Sequence, residues 1–111
     1  MNHEITLQQA IEMTTRYRAN KPGNAPICET FEIAVINQLA AVSGCNYLRI
    51  YYGMKETMLI DAILVAADED GKDILPSEAA TVLATTGNPL ILEDGYRCPP
   101  DCPPKSVLNG N

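Results

Sequence analysis

Tyr47-Leu48-Arg49-Ile50-Tyr51-Tyr52, followed by Met58-Leu59-Ile60-Asp61-Ala62-Ile63-Leu64-Val65-Ala66-Ala67, is the stretch whose period decides the fold. In the first segment Leu48, Ile50 and Tyr52 fall on one side and Tyr47, Arg49 and Tyr51 on the other, the two-residue repeat of a half-buried strand. The second is a run rich in Ile, Leu and Val, the pattern of a longer and better-buried strand. The loop around Gly53-Met54-Lys55-Glu56 joins the two as a hairpin. Asp70-Gly71 is a tight-turn signal, and Lys72 to Leu75 returns as a short third strand until Pro76, which has no N–H for a ladder, halts it.

Outside this stretch the period is helical. Thr6 can cap a helix whose Gln9 reaches back to it; Leu7, Ala10, Ile11, Thr14 and Tyr17 follow at helical spacing, and Asn20-Lys21-Pro22-Gly23 stops the run. A second pattern from Ile27 to Val42 lines up Phe31, Val35, Leu39 and Val42, widened by Ile33 and Ile36, which predicts a helix buried on more than one side. Further on, Ser77 reads as the N-cap of a short helix from Glu78 to about Thr85, and Leu90-Ile91-Leu92 as a short strand or a segment tucked against the core. The expected class is α+β: two helices packed on a small antiparallel sheet of about three strands.

Residues 1–95 form the single domain of this reading and 96–111 its tail. Half of the eight prolines lie in Cys98-Pro99-Pro100-Asp101-Cys102-Pro103-Pro104, a stretch that favours extended backbone and cannot join a helix. The tail is therefore expected to be extended or disordered and separable from the fold, with Tyr96 and Val107 as its only anchors.

Composition narrows the partners. Eight Lys and Arg against 14 Asp and Glu give a net charge of −6, a surface that repels phosphate backbones and anionic lipid, so nucleic acid and membrane are excluded as expected partners. No secretory signal is visible, and Met58 to Ala67 is too short to span a bilayer. Four cysteines without such a signal point to a reducing, cytoplasmic setting in which thiols stay free or bind metal.

Chemistry-bearing residues are few. Cys98 and Cys102 could share a zinc ion or oxidise, but a structural zinc site takes four ligands, and Cys28, Cys45 and His3 are scattered. Cys28 and Cys45 read as small buried hydrophobes; Cys28 becomes reactive if the second helix begins beside it and its amides favour the thiolate. Asp68-Glu69-Asp70-Gly71-Lys72-Asp73 fails as a calcium loop, because aligning Gly71 with the required glycine puts Ala66 and Ser77 at ligand positions. Arg16 and Tyr17 end the first helix, and with Arg49, Tyr47 and Tyr51 they are the candidate ligand or interface residues, tyrosine and arginine being enriched at interfaces. With one histidine and no nucleophile elbow or phosphate loop, no catalytic constellation stands out.

Three strings, Thr15-Arg16-Tyr17-Arg18-Ala19-Asn20, Gly44-Cys45-Asn46-Tyr47-Leu48-Arg49-Ile50-Tyr51-Tyr52-Gly53-Met54 and Arg97-Cys98-Pro99-Pro100-Asp101-Cys102-Pro103-Pro104, carry a resemblance to a group of small bacterial proteins of similar length that have no assigned activity. The resemblance implies one domain and brings no site residues. The functional expectation is a non-catalytic binding or interaction domain that pairs with itself or with another protein and has no cofactor. A metal-binding or thiol-redox protein built on the C-terminal cysteine pair is the alternative.

Overall fold

The computed structural model describes residues 2–77 and 87–110; the helix expected from residue 78 to 85 lies outside them. Helix α1 spans Leu7–Asn20, strand β1 Cys28–Thr30, helix α2 Ile33–Ala40, and strands β2 to β6 Tyr47–Met54, Ile60–Ala67, Asp73–Ile74, Ile91–Leu92 and Tyr96–Cys98. The class is α+β with antiparallel sheets, and the sheet system is larger than the three strands expected. A four-stranded sheet is built on β3, and β1 pairs with β6 in a second, two-stranded one.

The hairpin is in register from Tyr47↔Ala67 to Met54↔Ile60. Its turn successor behaves as read: Gly71 takes a left-handed φ of 82°, and Asp68 accepts the backbone N–H groups of Asp70 and Lys72. On its other side β3 pairs with β4 at Ala66↔Ile74 and with β5 at Leu64↔Leu92. Strand β3 is thus central, and β2 is an edge with no further strand beside it among the described residues.

The core lies between α2 and this sheet. Leu39, Val42, Leu64 and Ala66 are buried together, with Phe31, Ile36, Cys45, Ala62, Ile74, Leu90 and Leu92 packed around them. Alternation explains the membership: Leu64 and Ala66 share the β3 face that opposes Ile50 and Leu48 of β2.

Helix α2 is shorter and less enclosed than its pattern suggested. The Cys28–Thr30 segment finds a strand partner in Tyr96–Cys98, so the helix starts at Ile33. Leu39 is its one buried residue, and Ile33 is 72% exposed. Helix α1 has the expected capping box of Thr6 and Gln9 but buries no residue. It is held at its C-terminal end, where Tyr17 donates to the Pro26 carbonyl at 2.6 Å and Arg18 to that of Leu108 at 2.6 Å.

The C-terminal stretch is docked and not free. Cys98 is fully buried, Asn109 is 7% exposed, and Asn109 donates to the Pro104 carbonyl while accepting from the Ser106 amide. Its anchors are the β1–β6 pairing and the Arg18 bond to the Leu108 carbonyl, whereas the expected apolar anchors Tyr96 and Val107 are 50% and 60% exposed. Gly95, just before β6, lets Phe31 approach: a Cβ there would stand 2.7 Å from the ring.

Candidate functional site

Where β4 and β5 stop, side chains continue the edge of β3. Glu29 accepts the Ala62 N–H with both carboxylate oxygens, at 3.2 and 3.3 Å. Arg97 donates to the Ile60 carbonyl at 2.9 Å and to that of Asn24 at 2.7 Å, and Ile60 N donates to the Asn24 carbonyl. The two-stranded β1–β6 sheet is thereby fixed against the open end of β3.

Beside this junction lies an open cavity of about 600 Å³, walled by Tyr17, Ala25, Pro26, Ile27, Phe31, Ile50, Tyr52, Ile60, Ala62 and Leu64. Its walls are apolar except for Glu29 and Asp61. Burial, a hydrogen bond with Asp61 and that carboxylate's charge push the Glu29 carboxyl up to about 7, against the help of the Ala62 amide and Arg97. Asp61, 4% exposed, goes the other way: burial opposes its charge, but the Lys55 ammonium and then Glu29 hold it below the usual carboxylate range. Below about pH 7, Glu29 therefore carries a proton beside an ionised Asp61.

Lys55 supplies the counter-charge. Its ammonium lies 2.6 Å from Glu93, 3.0 Å from Asp61 Oδ2 and 3.2 Å from Asp94. The Asp61 approach is a charge pair whose angle leaves Oδ2 without a directed hydrogen bond. Asp61, Glu93 and Asp94 are the one group of potential metal ligands among the described residues, and the lysine ammonium sits where a cation would.

The candidate residues read from the sequence are dispersed over both faces of β2. Arg49 and Tyr51 meet at Asp73, which pairs with the guanidinium and accepts from the phenol. Hydrogen bonding to Asp73 raises the Tyr51 phenol, and Tyr51 with Arg49 lowers the Asp73 carboxyl. Tyr47 is exposed nearby. Tyr17 instead sits on the opposite face, in the cavity wall with Ile50 and Tyr52, where burial raises its phenol, and Arg16 is exposed on α1. The structure does not bring Arg16 and Tyr17 together with Arg49.

Cys98 and Cys102 are joined as a disulfide, and Cys28 and Cys45 are free. Cys28 lies in a strand and not at a helix start, so the reason given for its reactivity does not hold. Cys45 packs on the core as a small hydrophobe should. The disulfide also undercuts the inference of a reducing compartment from thiol usage; what stands is that no described helix is long and apolar enough to cross a membrane.

Sequence reasoning missed Glu29, Lys55, Asp73 and Arg97. Asp61 carried the one signal, a lone carboxylate inside the most apolar run of the chain. No protein-family model matches this chain, and no curated protein or solved structure gives a match to it.

Proposed function

We propose that this protein is a non-catalytic binding domain that associates with itself along β2. The observation that carries the reading is the state of that strand. Leu48, Ile50, Tyr51, Tyr52 and Met54 are all 45% or more exposed, on a long edge of the kind that soluble monomers normally blunt. The chain exposes 8095 Å², about 2,000 Å² more than the roughly 6,000 Å² expected for a compact monomer of its mass. A standard interface buries about 1,200–2,000 Å² in total.

The pairing has a natural register. Because Ala62 N and Ile60 O turn away from β2, their partners Tyr52 and Met54 turn their own backbone groups outward, as do Ile50 and Leu48 by alternation. Antiparallel pairing centred on Ile50 sets Ile50 against its copy, Leu48 against Tyr52 and Arg49 against Tyr51, with no like charges facing.

Sedimentation or light scattering tests this directly. A dimer is expected for the wild type, and Ile50→Lys, which brings two ammonium groups together at the axis, should give a monomer with an unchanged circular dichroism spectrum. A wild type that stays strictly monomeric at high concentration removes the proposal, and substitutions at Arg49 and Tyr51 that leave assembly untouched remove the register.

A further inference from the structure

The β1–β6 register sets Cys28 directly opposite Cys98, and Cys98 is disulfide-bonded to Cys102. We infer that these three cysteines form a thiol–disulfide exchange centre in which Cys28 is the internal nucleophile. This goes beyond the binding role proposed above and does not depend on it.

Residues directly opposite in an antiparallel pair project to the same face, with Cα atoms about 4.5–5.5 Å apart. A disulfide spans Cα separations of roughly 4.4–6.8 Å, so the strand pair already holds Cys28 and Cys98 at bridging distance. The existing bridge joins residues whose Cα atoms are 4.4 Å apart, so Cys98 is within reach of both partners while the backbone of β6 stays in place.

The three sulfurs differ in surroundings. Cys98 is fully buried, Cys102 is exposed, and Cys28 is half-buried in the wall of the open cavity. The buried sulfur is thus the shared one, the nucleophile is reached through the cavity, and the leaving sulfur departs into water.

The step balances without another reactant. The Cys28 thiol loses its proton to solvent, and the thiolate attacks Cys98 Sγ. The Cys28–Cys98 bond forms as the Cys98–Cys102 bond breaks; the electron pair leaves on Cys102 Sγ, which takes up a proton. One disulfide is consumed and one made. The product ties β1 to β6 covalently and leaves Cys102 as an exposed thiol, the sulfur through which the centre meets an outside thiol or disulfide.

The test uses the full chain with Cys45→Ser, so that tryptic fragment 19–49 carries Cys28 alone and fragment 98–105 carries Cys98 and Cys102. Oxidised protein is held at about pH 8 with N-ethylmaleimide and digested without reduction. The expected product is 19–49 cross-linked to 98–105 with the maleimide on Cys102, and it is absent from the Cys28→Ser variant.

A second variant guards against a trapping failure. Reduced Cys102→Ser protein, given oxidised glutathione, should close the Cys28–Cys98 bond and shed glutathione. Three results would overturn the inference: maleimide on Cys28 with the 98–102 bridge intact, stable glutathione on Cys98 in the Cys102→Ser protein, or air-oxidised protein that contains no Cys98–Cys102 bridge.

Discussion

Glu29 and Arg97 face each other across the β1–β6 ladder, and each takes one group of β3's open edge, Glu29 the Ala62 amide and Arg97 the Ile60 carbonyl. An acceptor and a donor carried on paired strands reproduce with side chains what another strand would offer. The small sheet is therefore a structural extension of the large one, and its removal should be felt in the main core.

Arg97→Ala is the direct probe of that coupling. It leaves the Ile60 carbonyl without its donor, takes one of two donors from the Asn24 carbonyl and removes a cation 3.5 Å from Asp61, so a loss of roughly 2–4 kcal/mol is expected. Truncation after Gly95 should lower the melting temperature at least as much. An unchanged melting temperature in the truncated chain would instead establish the separable tail that the prolines suggested.

Glu29 should leave a signature in the pH dependence of stability. Its carboxyl is raised from 4.5 to about 7, so the folded state holds a proton that the unfolded chain releases within that window. Its contribution is complete below about 4.5 and is lost as pH rises through about 7. After discounting for solvent around the group, about 1–2 kcal/mol is at stake. Glu29→Gln, which mimics the protonated acid, should flatten urea stability across the window. Asp61, whose carboxyl is lowered, acts with the opposite sign and only at more acidic pH. A slope that survives in Glu29→Gln would assign it to another group.

Lys55→Met should destabilise the protein most at neutral pH, because Asp61, Glu93 and Asp94 then face one another as unneutralised carboxylates. Lys72→Met, at the exposed hairpin turn, is the control, and thermal melts in which the two variants behave alike would contradict the arrangement.

Leu39→Ala tests the core itself. Leu39 is the largest aliphatic side chain with no exposure, and such truncations cost about 2–5 kcal/mol. Chemical denaturation giving much less than this would mean that α2 does not close the sheet.

Where the chain's signals are local, the fold was readable from them. The two-residue period at 47–52, the apolar run at 58–67 and the Asp70-Gly71 turn name a meander, and β2, β3 and β4 follow. Strands β1 and β6 were not readable because each is three residues long and neither has a pattern of its own; they exist through pairing across some seventy positions. Ile27 to Thr30 looked helical because a periodic apolar stripe registers a face, not the partner that takes it. The site was hidden for the same reason: Glu29, Lys55, Asp61, Glu93 and Arg97 are far apart in sequence and meet only through the sheet edge.

The central strand receives its last partners late in the chain. Ile91 and Leu92 reach β3 from well downstream in the sequence, and Arg97 closes Ile60 from further still. A nascent or clipped chain that stops before Arg97 keeps the hairpin but presents the Ile60 carbonyl unpaired beside the exposed edge of β2. Such a fragment adds an open position on β3 to the exposed edge of β2. Growth by addition at both edges is how sheets become filaments, so Arg97, by covering that carbonyl, opposes edge growth as well as bracing the fold.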